Sequence, residues 1–169
     1  QAVGSGASYG NTTGNSNVSL GINALYTNTT GSQNVALGQQ ALNSNTTASS
    51  GVAVGYQALY SNTTGAYNNA LGESALRANT TGSYNTGVGH NALTANTTGQ
   101  SNAAFGQQAL ASNTTASNNT AVGYQAGYYA AGSSNGNNSW LGYQAGYLVA
   151  VGGSNVGIGY QAQYASGGT

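Results

Sequence analysis

The sequence predicts an all-β protein, a parallel β-solenoid (β-roll) of about ten coils with about 17 residues in each coil. Two repeated signals support this fold. The tripeptide Asn-Thr-Thr begins every 17 residues, at Asn11, Asn28, Asn45, Asn62, Asn79, Asn96 and Asn113. The second signal is an apolar residue, a glycine, two variable residues and an alanine. Its glycine, here called the mark glycine, recurs at intervals of 17 with one interval of 19, at Gly4, Gly21, Gly38, Gly55, Gly72, Gly89, Gly106, Gly123, Gly142 and Gly159.

The composition is the third observation, because it excludes a thick globular core. Leu, Ile, Val and Phe together account for 24 of the 169 residues, about 14% of the chain and below the ~20% that a conventional core needs. The zero net charge and the strict repeat argue against disorder. Such a chain can bury only a narrow apolar strip, repeated along an axis or shared between several chains.

One coil, residues 31–47, illustrates the elements in order. Residues 34–38, Asn-Val-Ala-Leu-Gly, are typical of a short strand that ends at a glycine corner. Residues 39–42, Gln-Gln-Ala-Leu, are interpreted as a second extended segment. Residues 43–47, Asn-Ser-Asn-Thr-Thr, favour a loop, because Asn and Ser can bond their own backbone there.

Aligned coils place apolar residues in columns, one strand spacing (~4.8 Å) apart. The residue before each mark glycine is always apolar, and these ten residues, here called the apolar column, are predicted to form the core ladder. They are Val3, Leu20, Leu37, Val54, Leu71, Val88, Phe105, Val122, Leu141 and Ile158. A second set, the leucine column, lies four residues after six mark glycines: Leu25, Leu42, Leu59, Leu76, Leu93 and Leu110.

Amides form similar columns. One lies four residues before most mark glycines, for example at Asn34 and Asn85, and another two residues after them, for example at Gln40. Stacked amides can bond to their equivalents in the neighbouring coils. The sequence leaves open whether these columns are buried or exposed.

Every Asn-Thr-Thr also fits the N-glycosylation pattern, although the same residues suit a tight turn. A surface or glycan ladder is therefore one hypothesis for the loop asparagines Asn28, Asn45, Asn62, Asn79, Asn96 and Asn113. Recognition of ice or of a polysaccharide by regular threonines is another. Adjacent threonines point to opposite sides of an extended segment, which weakens that second hypothesis.

The residues that carry most enzyme chemistry are scarce. Glu73 is the sole acidic side chain, His90 the sole histidine, and Cys is absent. One carboxylate cannot form a glycosidase pair, and these residues offer no metal cluster. Residues 87–92 and 157–162 match a loose dinucleotide fingerprint, but neither precedes a helix-period pattern or an acidic residue that could hold a ribose. We therefore expect no enzyme activity, no catalytic residue, no cofactor and no metal.

The 17-residue repeat also predicts contacts between side chains of neighbouring coils. Residues that are 17 apart should stack, which predicts a cation–π contact between Tyr60 and Arg77 and stacked rings at Tyr67 and Tyr84.

One basic side chain cannot support the phosphate attraction that nucleic acids or anionic membranes need. No run approaches the ~20 apolar residues of a membrane span. We expect neither nucleic-acid binding nor membrane insertion.

The chain divides into two segments of one solenoid. Residues 1–123 are regular repeats with Asn-Thr-Thr loops, whereas residues 124–169 are divergent and rich in aromatic residues. The latter contain the candidate interface residues, for contact between chains or with a ligand: Tyr128, Tyr129, Trp140, Tyr143 and Tyr147. The alternative is that aromatic residues replace the leucine column, where Gly127 and Gly146 now stand.

Residues 34–38, 119–123 and 155–159 resemble the Asn-x-Val/Ala-Ile-Gly repeat of trimeric autotransporter adhesin heads (YadA-like heads). Residues 55–65, Gly-Tyr-Gln-Ala-Leu-Tyr-Ser-Asn-Thr-Thr-Gly, are similar to repeats of phage tail-fibre-like and bacterial surface proteins that carry such heads. The resemblance covers nearly the whole chain. It implies a left-handed parallel β-roll, three chains packed side by side, and an extracellular or virion-surface rod that binds host or matrix. The head repeat has about three residues fewer than this coil, and no stalk or anchor sequence is visible.

These observations favour a structural protein of an extracellular fibre or filament that self-assembles by coil stacking, as a homotrimer, a head-to-tail filament or both. The alternative is an adhesin or phage tail-fibre segment that binds a host surface. An ice- or glycan-binding solenoid is the third expectation. In each case, the expected location is extracellular, on a cell surface or on a virion.

Overall fold

The computed structural model describes residues 1–129, 136–149 and 152–164, so parts of the predicted second segment, residues 130–135, 150–151 and 165–169, lie outside the described residues. The described residues contain ten short strands in one sheet. In chain order they are β1 Ala2–Val3, β2 Val18–Leu20, β3 Val35–Leu37, β4 Val52–Val54, β5 Asn69–Leu71, β6 Thr86–Val88, β7 Ala103–Phe105, β8 Thr120–Val122, β9 Ser139–Leu141 and β10 Val156–Ile158.

The strands pair in parallel and in sequence order, which confirms the predicted β-solenoid. Each strand lies in register with its equivalent in the next coil, so that Leu20 is opposite Leu37 and Leu37 is opposite Val54. The 19-residue interval keeps this register, because Val122 still pairs with Leu141. The two additional residues are therefore accommodated outside the strands.

In each three-residue strand, successive side chains point to opposite faces of the sheet. The middle residue is buried, for example Ala36, whereas the residues on either side, Val35 and Leu37, point away from the interior and are only half-buried. The interior is therefore narrow. On the side of the strands, the interior is lined mostly by alanines. The opposite side is filled by the leucine column and by the alanines three residues after each mark glycine.

The segment after each mark glycine is a turn, so the predicted second extended segment at residues 39–42 is wrong. Gly38 has φ +131°, and a Cβ there would lie 2.6 Å from the Gly55 carbonyl oxygen. Gln40 and Leu42 follow with φ 60° and 49°. A left-handed conformation costs a non-glycine residue about 1–2 kcal/mol. Burial of Leu42 and the bond from its N–H to the Ala58 carbonyl (3.0 Å) offset that cost.

Candidate interaction surfaces

The apolar column does not form the core of the chain, so that prediction is wrong for a single copy. Seven of its members have exposed fractions from 37% for Val122 to 69% for Ile158, and the others are half-buried. Strand alternation places the column and the small middle residue on opposite faces. Only the small residue fits inside, because leucines and asparagines occupy the rest of the interior. The apolar column is a continuous ladder on the outer face of the sheet.

The first residue of each strand forms a second outer column, and its character changes along the sheet. Val18, Val35 and Val52 begin β2 to β4, and Val156 begins β10. The strands between them begin with polar or small residues, namely Asn69, Thr86, Ala103, Thr120 and Ser139. The outer face therefore has a second apolar column only over β2 to β4, and one further valine beside the apolar column at β10.

The loop asparagines are buried, so they do not form the predicted surface or glycan ladder. Their exposed fractions are 1% or less. The Asn79 Nδ2 donates to the Asn62 Oδ1 at 2.8 Å and to the Gly82 carbonyl at 2.9 Å. Both amide hydrogens are thus used inside the solenoid. N-glycosylation of the folded chain at these six positions would require the amide ladder to be broken.

A second buried ladder is formed by the asparagines that precede the strands. The Asn85 N–H donates to the Asn68 Oδ1 at 2.9 Å, and the Asn85 Nδ2 donates to the Gly99 carbonyl at 2.8 Å. Gly51 interrupts the ladder, because it offers no side-chain oxygen to the Asn68 N–H. Amide ladders supply the polar half of the interior. They satisfy backbone groups that would otherwise be buried without partners.

The two threonines of each Asn-Thr-Thr have different environments. In the six coils from Thr12 to Thr97 the first donates its hydroxyl to the next coil, as when the Thr63 Oγ1 donates to the Thr80 carbonyl at 3.0 Å. The second is exposed in every coil that contains the tripeptide. These residues form an exposed threonine column consisting of Thr13, Thr30, Thr47, Thr64, Thr81, Thr98 and Thr115.

Trp140 is 1% exposed, so it cannot belong to the predicted interface. It takes the middle position of β9, which is alanine or glycine in β3 to β8. A Cβ on Gly146 would lie 2.3 Å from the indole Cδ2, and one on Gly127 would lie 2.7 Å from the indole Cδ1. The indole therefore fills the space of two missing leucines. For Trp140, the alternative interpretation, replacement of the leucine column, is correct.

The remaining candidate interface residues lie at the surface among other tyrosines. Tyr129 and Tyr143 are exposed, while Tyr128 and Tyr147 are half-buried. The rings of Tyr128 and Tyr147 stack with centres 5.4 Å apart, and Tyr129 meets both of them edge to face. This region is an exposed aromatic surface, and whether it contacts another chain or a ligand stays a prediction.

Electrostatics within this aromatic surface affect Tyr147. Burial raises the pKa of the Tyr147 hydroxyl above its ordinary value, and charge on the neighbouring Tyr129, Tyr164, Tyr128 and Tyr124 would raise it further. The hydroxyl therefore stays neutral beyond the pH at which a free tyrosine ionises. At neutral pH the Tyr147 side chain is a neutral phenol.

The few ionisable side chains are distributed on the outside of the coils. Arg77 Nε donates to the Gln57 Oε1 at 2.8 Å, and its guanidinium lies 5.8 Å from the centre of the Tyr60 ring, which confirms the predicted cation–π pair. The predicted stack of Tyr67 and Tyr84 is also confirmed, with ring centres 5.1 Å apart. Glu73 and His90 are exposed on adjacent coils.

Neither a metal-binding cluster nor a membrane-spanning helix is found in the described part of the chain. Among the residues that the structure describes, no three His, Cys, Asp or Glu side chains come together to hold a metal ion. The same described ranges contain no helix with the length and apolar character needed to cross a bilayer. The chain's distinctive surfaces are instead the outer apolar ladder, the threonine column and the aromatic surface.

Comparison of the chain with models of protein families, with curated proteins and with solved structures finds no match.

Proposed function

We propose that the chain is a structural rod of an extracellular fibre, in which copies associate side by side through the outer face of the sheet. Three copies around one axis, each wound left-handed, are the arrangement that the resemblance to adhesin heads implies. The observation that carries the proposal is the exposed apolar column, which runs without interruption from Val3 to Ile158. Contiguous apolar surface of this kind marks sites of protein association.

The charge of the chain favours association between identical copies. The whole sequence has one arginine, one acidic residue and one histidine, and its formal net charge is zero. Copies that meet face to face therefore experience little like-charge repulsion. The in-register strands also give each copy a continuous apolar ridge, and a second copy presents the same ridge with the same spacing.

Axial growth by coil stacking is the second part of the proposal. In β3 the Val35 N–H donates to the Gly51 carbonyl of the next coil at 2.8 Å. By the same pattern, the Val156 N–H of β10 faces an edge of the sheet that no described strand covers. An open parallel edge can pair with a further coil, from the same polypeptide or from another copy.

Side-by-side association is tested by polar substitution on the outer face. Leu37→Asn with Leu71→Asn should lower the number of chains per particle in analytical ultracentrifugation, because both leucines lie in the apolar column. Thr30→Asn with Thr64→Asn is the matched control, since these residues belong to the exposed threonine column. A wild-type protein that stays a single chain at high concentration would refute the proposal.

Axial stacking needs its own variant and its own measurement. Val156→Pro removes the N–H that faces the open edge, and it should shorten filaments in electron micrographs without changing the number of chains in cross-section. Circular dichroism would verify that the coils remain folded. Filaments of unchanged length would count against coil stacking and leave side-by-side association intact.

An adhesin or phage tail-fibre segment is a second candidate, and the aromatic surface favours it. Binding of a host requires a surface that differs from the repeating coils, and residues 124–129, 136–149 and 152–164 contain the tyrosines that provide one. Immunogold labelling of native material would distinguish the candidates. Label along long uniform filaments supports the fibre, whereas label confined to tips on a cell or virus supports the adhesin.

An ice-binding solenoid is a third candidate because the threonine column is exposed and regular. Its members repeat at about one strand spacing, ~4.8 Å, on a rigid backbone. Measurement of thermal hysteresis tests this candidate directly. Wild-type activity that disappears in Thr64→Lys would support ice binding, and a wild-type protein without thermal hysteresis would remove it from consideration.

A further inference from the structure

Three consecutive coils present tyrosine at the position directly after the mark glycine. These residues, Tyr124, Tyr143 and Tyr160, are here called the tyrosine column. Their rings stack with centres 5.2 Å apart, and their exposed fractions are 38%, 44% and 74%. The rings therefore form a regular aromatic ladder that is partly exposed to solvent.

The fold does not require aromatic residues at this position. The seven earlier coils carry six residue types there and still form the same turn. Those residues are Ser5, Ile22, Gln39, Tyr56, Glu73, His90 and Gln107. Three tyrosines in succession are thus a property of this region rather than a condition for folding.

Amide groups with fixed orientation lie beside the tyrosine column. The Gln161 Nε2 donates to the Gln144 Oε1 at 2.9 Å, and the Gln144 Nε2 donates to the Gln125 Oε1 at 2.8 Å. Each glutamine directly follows one of the column tyrosines in sequence. Each of these three coils consequently contributes an aromatic ring, a phenol hydroxyl and an ordered amide.

A second ladder of tyrosines runs through the same three coils. Tyr128, Tyr147 and Tyr164 stack with ring centres 5.4 Å and 5.1 Å apart. Each of these coils therefore carries two tyrosines, the second four residues after the first.

We propose that this surface binds an uncharged, extended polysaccharide of β-1,4-linked hexoses that lies along the solenoid axis. Every charged side chain and the histidine lie at or before residue 90, so recognition of ionic groups has no basis here. Each hexose of such a chain advances by about one strand spacing, ~5 Å, so one sugar meets one coil. Stacking and hydrogen bonding hold the side chains in place before binding, which lowers its entropic cost.

The test measures binding of cellohexaose by isothermal titration calorimetry. The variant Tyr124→Gln, Tyr143→Gln and Tyr160→Gln removes the column while keeping the fold, because Gln39 and Gln107 occupy the same position in other coils. Loss of three aromatic contacts should weaken binding by about tenfold or more. The matched control is Tyr67→Ser with Tyr84→Ser, a stacked pair at a position where Ser16, Ser50 and Ser101 stand in other coils.

Further measurements define the result that would overturn the proposal. We expect affinity to rise from cellobiose to cellotriose, as a third coil is engaged, and an anionic polysaccharide such as heparin not to bind. Wild-type protein that does not bind cellohexaose, or a triple variant that binds it unchanged, would overturn the proposal. So would a triple variant that alters the number of chains per particle rather than affinity, since the surface would then be an interface between copies.

Discussion

The regular coils and the last coils fill the same narrow interior in different ways. From β2 to β7 each coil contributes a leucine and at least one buried asparagine, so like side chains stack on like. Around β9 a single indole takes the place of leucines. Glycines stand at the positions where any Cβ would clash with the indole. Close packing therefore fixes the interior volume of a coil rather than the identity of its interior residues. Aromatic residues that do not enter the interior, such as Tyr143, collect on the surface of the last coils.

The largest effect should come from Trp140→Ala. Loss of a buried indole costs about 3–5 kcal/mol, because the glycines around it cannot refill the space. Repeat proteins are stabilised mainly by contacts between neighbouring coils. Hydrogen exchange should therefore show lost protection in β8 to β10 and near-native protection in β3 to β5. Uniform loss along the chain would contradict this view of local packing.

A variant that replaces the lost indole with leucines tests the same packing model. Trp140→Ala together with Gly127→Leu and Gly146→Leu gives the last coils the interior of the regular coils, and it should recover most of the stability lost by Trp140→Ala. The measurement is thermal unfolding followed by circular dichroism. Gly146→Leu alone is the control and should be destabilising, since its Cβ would lie 2.3 Å from the indole.

Disruption of the loop asparagine ladder should have the next largest effect. Asn79→Ala removes two donated bonds, leaves one Asn96 hydrogen without its partner, and leaves the Asn62 Oδ1 with only the longer bond of 3.5 Å from the Asn68 Nδ2. Buried groups without partners cost about 1–3 kcal/mol each, so we expect a loss of about 3 kcal/mol in the free energy of unfolding. Thr81→Ala, in the exposed threonine column, should change stability by less than about 0.5 kcal/mol. Equal effects of the two variants in urea titrations would refute burial of the ladder.

Completion of the second ladder should give a small gain. Gly51→Asn supplies an acceptor for the Asn68 N–H, and the nearest atom to the new Cβ would be the Asn34 Oδ1 at 3.2 Å. One new hydrogen bond contributes about 1 kcal/mol. Urea unfolding would measure the shift, and Gly51→Ala is the control that adds the Cβ without the amide. A gain of the same size in Gly51→Ala would assign the effect to the unfolded chain instead.

The smallest effect concerns pH and is confined to the last coils. The pKa of Tyr147 is raised by burial and by the surrounding tyrosines. The unfolded chain releases this proton first, so this contribution to stability is present at neutral pH and declines as pH rises from about 10 through the raised value. Alkaline titration of tyrosinate absorbance should show a late component that Tyr147→Phe removes. A late component that persists in Tyr147→Phe would assign it to another tyrosine.

Much of the fold could be predicted from the sequence, because stacking of coils in register requires a nearly constant coil length. The interval of 17 residues predicted the in-register pairing of Leu20 with Leu37, and it also placed Arg77 beside Tyr60. The candidate surfaces were predicted less well. The exposed tyrosines stand out in the sequence, whereas the surface hypotheses for the loop asparagines and for Trp140 are wrong, because these side chains are buried.

By itself, the sequence determined the repeat, the parallel register and the scarcity of charge, since each of these follows from residue identity and spacing. Only the tertiary structure decided which face of each strand points inward. Hydrophobicity favours Leu37 inside, yet the coil is too narrow for it once Leu42 and Asn45 are in place, so Ala36 is buried instead. The left-handed backbone of Leu42 also depends on tertiary packing, because no local preference selects that conformation for leucine.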